Sequence, residues 1–125
     1  MIGLLSHSYL LLLRIDVLMK LRHLRAIHDL VTHEPVREHP ADDGIGVEAI
    51  CHAVDLACAL YVKPVMCLQR SAATALLLKR FGWKAELVIG AQIMPFKTHA
   101  WTEVGGRVVN DRPSVVHLYT VLDRC

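Results

Sequence analysis

Apolar residues recur three to four positions apart through the first third of the chain, at Val17, Leu21, Leu24, Ile27 and Val31. That spacing marks one face of an amphipathic helix. Before it, Met1 to Leu13 is apolar apart from Ser6, His7 and Ser8. Arg14 and Asp16 cut the run short of the roughly 20 apolar residues needed to span a bilayer. The segment lacks the basic start and small-residue cleavage site of a signal peptide. Lys20, Arg22 and Arg25 lie off the stripe, so a core-packing helix is expected and membrane contact is not. A partner-docking surface is the alternative, because the early leucines exceed what a small core needs.

"EPVREHPADDG" (34–44) is a polar connection punctuated by Pro and Gly. A second helix is expected from about Ile45 to Val62, capped by Asp42 or Asp43. Lys63-Pro64-Val65 ends it. A third helix runs from Cys67 to about Phe81, with Gly82 as its stop and Lys79 and Arg80 suiting the last turn. Cys67, Ser71, Thr74 and Leu78 share one of its faces. The period then changes. "AELVIGAQ" (85–92) reads as a strand, "THAWTEV" and "RVVND" (98–104 and 107–111) as a hairpin, and "HLYTVLD" (117–123) as a last strand. Helices first and strands second predict an α+β fold, with N-terminal helices packed on a C-terminal antiparallel sheet. One domain over 1–125 is expected: a helical part, 1–62, and a part holding the third helix and the sheet, 63–125.

Composition narrows the function. A net charge of +2 without an aromatic-rich basic stripe argues against nucleic acid. Apolar residues at 54% and charged residues at 21% describe a globular chain. The four cysteines form no CxxC pair, which fits reduced thiols in a cytoplasmic protein. Cys51 and Cys58 share a helix face with no His or carboxylate at ligand spacing, so core thiols are expected and no metal or cofactor.

Cys67 stands at a helix start, where unpaired N–H groups and the macrodipole favour thiolate. A thiol nucleophile needs a base, and the base an orienting group. The hairpin offers both in His99 and Asp111. A two-residue Gly105-Gly106 turn would set Ala100 opposite Asp111 and send His99 to the other face. A three-residue loop, 104–106, sets Glu103 opposite Arg107, Trp101 opposite Val109 and His99 opposite Asp111. It places a glycine at the left-handed loop position and pairs opposite charges. The three-residue register is therefore expected, with the Cβ atoms of His99 and Asp111 about 5 Å apart. Trp101 fits a site wall or the core. A capped, solvated helix turn accounts for Arg70 and Ser71 as well as a part in the site does, and Asn110 is expected to shape the strand end.

The blocks "CLQRSAATALLLKRFGWKAELVIG", "PFKTHAWTEVGGRVVND" and "LYTVLDR" resemble the lasso peptide biosynthesis B2 proteins. These are leader peptidases of transglutaminase-like, papain-type fold. The resemblance covers roughly residues 64–124. The Cys, the His of "HAW" and the Asp of "ND" form the family's triad and fall on Cys67, His99 and Asp111. The resemblance implies cleavage of a ribosomally made precursor peptide at its leader–core junction. It also implies a separate leader-recognition protein (the B1 protein, or RiPP recognition element) and contact with the lasso cyclase. An acyl transferase or deamidase on the same triad, and a non-enzymatic adaptor, remain open at this point. The second oxyanion donor stays unassigned, because Gln69 and Gln92 both follow Cys67.

Overall fold

The computed structural model describes residues 2–37 and 46–125. Its order is α1 (Ile2–His33), α2 (Val47–Leu60), α3 (Cys67–Arg80), β1 (Ala85–Gln92), β2 (Lys97–Val104), β3 (Arg107–Val108), α4 (Val115–Leu118) and β4 (Thr120–Arg124). The sheet is antiparallel throughout, in the order β3-β2-β1-β4. The α+β architecture expected from the sequence is the one observed.

Helix α3 is the centre of the molecule. It is buried without a break from Ser71 to Lys79. One side meets Leu11, Leu12, Ile15, Ile27 and Val31 of α1 and Ile50, Val54 and Ala57 of α2. The other side meets Ala85, Leu87 and Ala100 of the sheet. Two long-range bonds fasten it to α1. Gln69 Nε2 donates to the Leu12 carbonyl at 2.9 Å, and Lys79 Nζ donates to the Val31 carbonyl at 2.5 Å. These satisfy buried polar groups that would each cost about 1–3 kcal/mol if stranded. A smaller cluster of Val88, Trp101 and Val115 lies apart from that core, with Val108 and Tyr119 packed against it.

Helix α1 departs from its expected stripe. His23 has φ 69° and ψ −168°, which interrupts the helix. The stripe residues on either side therefore do not share a face. Ile27 and Val31 are fully buried, whereas Val17, Leu21 and Leu24 are 52%, 73% and 51% exposed. Among the described residues, no helix is long and apolar enough to cross a membrane. The cap position of α2 is Gly46. Asp42 and Asp43, expected to cap it, lie outside the described residues.

The β2–β3 hairpin takes the two-residue register, with Val104 opposite Arg107 and Glu103 opposite Val108. This corrects the three-residue loop. Gly105 and Gly106 have φ 59° and 78°. Two consecutive left-handed glycines make the tight turn whose twist matches the flanking strands. Strand β3 ends at Val108, so the strand expected over 107–111 is only two residues long. Residues 115–118, in part expected as strand, form a short helix ahead of β4. Between Ile89 and Gly90 the β1–β4 register slips. Ile89 pairs with Asp123 and Gly90 with Val121, leaving Leu122 as the extra residue of a bulge.

Candidate active site

Each predicted site residue sits at the end of an element. Cys67 is the first residue of α3, and the preceding Met66 is extended and offers no side-chain cap. The N–H groups of the first turn therefore lack partners within the helix. His99 lies near the start of β2, opposite Gly90. Asp111 lies just beyond β3.

His99 and Asp111 meet. The His99 Nε2–H donates to Asp111 Oδ2 at 2.5 Å, which leaves Nδ1 as the ring nitrogen open to other chemistry. Burial alone would push the Asp111 carboxyl up. The hydrogen bonds from His99 and the Arg112 N–H, with the charges of His99 and Arg70, outweigh it and hold the group below the ordinary carboxylate range. Asp111 is therefore a carboxylate at neutral pH.

The pair forms by a different route from the expected register. After Val108 one more backbone bond joins the hairpin, from the Val109 N–H to the Thr102 carbonyl. Asn110 then replaces the ladder with its side chain. Its Oδ1 accepts the Thr102 N–H at 2.7 Å, and its Nδ2 donates to Ser71 Oγ at 3.0 Å. Ser71 Oγ donates in turn to the Ala100 carbonyl, and Thr102 Oγ1 donates to the Ser71 carbonyl. Arg70 Nη2 donates to the Asn110 carbonyl at 2.8 Å. The chain has left the pleat at this point, so the alternation rule no longer separates Asp111 from His99. Ser71 is fully buried in this network, which decides against the solvated turn for it. Arg70 and Asn110 hold the segment that carries Asp111. The sequence signal for them was their place inside the quoted blocks.

Cys67 and His99 line one cavity of about 220 Å³, together with Leu24, Leu68, Ile89, Thr98, Ala100 and Leu122. No hydrogen bond joins the thiol to the imidazole among the described residues. Burial pushes Cys51, Cys58 and Cys125 each up to about 11, so at neutral pH they are protonated and poor nucleophiles.

Aromatic rings back the imidazole. Tyr119 stacks on His99 with centroids 5.2 Å apart, and Trp101 lies tilted at 6.1 Å. Trp101 is fully buried and belongs to the smaller apolar cluster with Val88 and Val115. Its Nε1–H donates to Glu103, which also accepts from Arg124. Glu103 is thus committed inward and not to the expected pair with Arg107. Gly90 makes room for the rings: a Cβ there would lie 2.8 Å from Tyr119 Cβ and 2.9 Å from Trp101 Cη2.

Residues 9–124 match the model of the transglutaminase-like superfamily. The chain belongs to that superfamily. It is also 45% identical over 49 residues to the microcin J25-processing protein McjB of Escherichia coli, a stretch that covers 39% of this chain and 24% of that protein. The match thus spans about a quarter of the relative's length. No solved structure matches the chain. Both similarities support the resemblance to lasso peptide B2 proteins carried by the three motif blocks.

Proposed function

We propose that this chain is a cysteine peptidase that removes the leader from a lasso precursor peptide in the cytoplasm, using Cys67, His99 and Asp111. The observation that carries the reading is the His99–Asp111 hydrogen bond beside a cavity walled by both His99 and Cys67. The similarity to a protein that processes microcin J25 supports the substrate class.

The Cys67 thiolate attacks the scissile carbonyl and forms a thioester through a tetrahedral intermediate. The unpaired N–H groups at the start of α3 stabilise its oxyanion. His99 delivers its proton to the leaving amine as the C–N bond breaks, then takes a proton from the water that hydrolyses the thioester. Asp111 fixes the ring orientation and supports the imidazolium. Arg70, Ser71 and Asn110 position Asp111.

A separate leader-recognition protein delivers the precursor. Its proposed docking face is the exposed apolar side of α1, at Leu10, Leu13, Val17 and Leu21, flanked by Arg22 and Arg25. Holding the leader raises the effective concentration of the scissile bond at Cys67.

The test is cleavage of a lasso precursor peptide, read by mass spectrometry with and without a leader-recognition protein. Cys67→Ala is expected to abolish cleavage, and iodoacetamide near neutral pH to label Cys67 ahead of the other thiols as activity falls. Full cleavage by Cys67→Ala overturns the peptidase reading. Transfer products with added amines in place of a free carboxylate would assign an acyl transferase instead.

A further inference from the structure

We propose that His28, Asp123 and Cys125 form a binding site for a divalent metal ion of the zinc class, bridging α1 and β4. The site uses none of the three proposed catalytic residues and does not depend on the peptidase reading.

Three donor atoms converge there. A His28 ring nitrogen, an Asp123 carboxylate oxygen and Cys125 Sγ all lie within 4.8 Å of one another. Zinc bonds of about 2.0–2.3 Å set tetrahedral neighbours roughly 3.3–3.8 Å apart. His28 Nδ1 and Asp123 Oδ2 are closer than that, in contact at 2.7 Å, and an ion entering between them would replace that contact. The set of imidazole, thiolate and carboxylate suits zinc and its neighbours in the first transition row. Calcium and magnesium prefer all-oxygen shells, so this set disfavours them.

The fold holds the donors from two directions. Asp123 and Cys125 are two apart on an extended chain, so their side chains share a face. Cys125 is pinned by paired backbone bonds with Leu87, at 2.9 and 2.8 Å. From α1, Leu24, His28 and Thr32 recur every four residues and so share one side of the helix. A hydrogen bond from Thr32 reaches the Cys125 thiol. Beside the donors opens a cavity of about 520 Å³, lined by Leu24, Arg25, His28, Asp29 and Asp123. It leaves space for a water molecule to complete a four-coordinate shell.

The metal ligand is the thiolate, so forming the metal–sulfur bond sends the thiol proton to solvent. The ion would tie together two walls of the Cys67–His99 cavity. Leu24 lies one turn before His28, and Leu122 lies next to Asp123; both line that cavity.

The experiment uses the full chain carrying Cys67→Ala, which removes the thiol proposed as the nucleophile. Zinc and cobalt(II) are titrated separately, with chelator competition, pH-stat and thermal unfolding as readouts. Expected are one ion per chain, release of about one proton per ion, and a higher unfolding midpoint. The cobalt form should show a thiolate-to-metal charge-transfer band and tetrahedral visible absorption. Cys125→Ser and His28→Ala should each weaken binding by at least about tenfold. If either variant fails to fold, the cobalt spectrum of the Cys67→Ala chain decides alone. No binding at micromolar metal, a cobalt spectrum without the sulfur band, or unchanged affinity in Cys125→Ser overturns the proposal.

Discussion

Helices α1 and α3 carry comparable runs of leucine and meet water differently. In α3 every residue from Ser71 to Lys79 is buried. In α1, Leu10, Val17 and Leu21 are more than half exposed. The difference lies in what each helix offers on its polar side. Ser71, Thr74 and Lys79 of α3 all end on backbone carbonyls, two of them in other elements. A helix whose polar groups are satisfied by protein can be enclosed on all sides. Helix α1 has few such bonds along its outer face and changes direction at His23. The enclosed helix is the one that begins with Cys67, which suits a side chain needing fixed geometry. The open helix is the one left with surface to spare.

The contrast breaks most readily at Asn110. Asn110→Ala strands the Thr102 N–H and removes a partner from Ser71, both buried. Each stranded group costs about 1–3 kcal/mol. Denaturant unfolding should show that loss, and precursor cleavage should fall further than stability explains, because the segment carrying Asp111 loses its anchor. Stability within 0.5 kcal/mol of the parent would show that the side-chain bridge is not holding the hairpin.

A second test uses pH. Burial raises the Glu103 carboxyl, but the bonds from Trp101 and Arg124 and the Arg124 charge bring it below its ordinary value. A carboxyl lowered on folding adds stability above its unfolded pKa, near 4.3, and loses it as pH falls through the folded value. The parent should therefore lose stability below about pH 4, with Asp111 contributing in the same direction. Glu103→Gln should be less stable at pH 7 and show a flatter acid limb. Parallel limbs for the two proteins would remove Glu103 from the account.

Much of the enclosed half was legible in the sequence. The third helix was expected over 67–81 and is Cys67–Arg80, ending at Gly82 with φ 90°. The first strand was expected and found at 85–92. These elements have unmixed periods and strong terminators. The hairpin register was misread because a cross-strand charge pair was weighed above the turn preference of two adjacent glycines. His99 and Asp111 still meet because Asn110 ends the ladder early, a side-chain event that no spacing rule registers. The break at His23 was not legible either, since histidine is only modestly enriched at positive φ and the apolar spacing runs straight through it. The convergence of His28, Asp123 and Cys125 is tertiary, joining opposite ends of the chain.

His23 gives a smaller effect of opposite sign. A non-glycine residue in the left-handed region costs roughly 1–2 kcal/mol, while glycine gives back about 0.5–1 through the entropy of the unfolded chain. His23→Gly should therefore stabilise the chain by on the order of 0.5–1 kcal/mol, read as a higher denaturant midpoint at unchanged slope. A lower midpoint would mean that the helix runs through His23 unbroken.

The smallest effect on stability is expected at Leu21, which is 73% exposed on the outer side of α1. Removing an exposed apolar side chain changes little in the folded state, so Leu21→Ser should stay within about 0.5 kcal/mol of the parent. Its value lies in separating two uses of an apolar face. A leucine that packs the core would cost several times more when replaced by serine. A leucine kept for a docking partner would cost nothing until that partner is added. Basal cleavage by Leu21→Ser should therefore match the parent, while the acceleration expected from the proposed leader-recognition protein should fall severalfold. Charge reversal at Arg22 and Arg25 should act in the same direction. Undiminished acceleration in both variants would move the docking face off α1 and leave the proposed roles of Cys67, His99 and Asp111 as they stand.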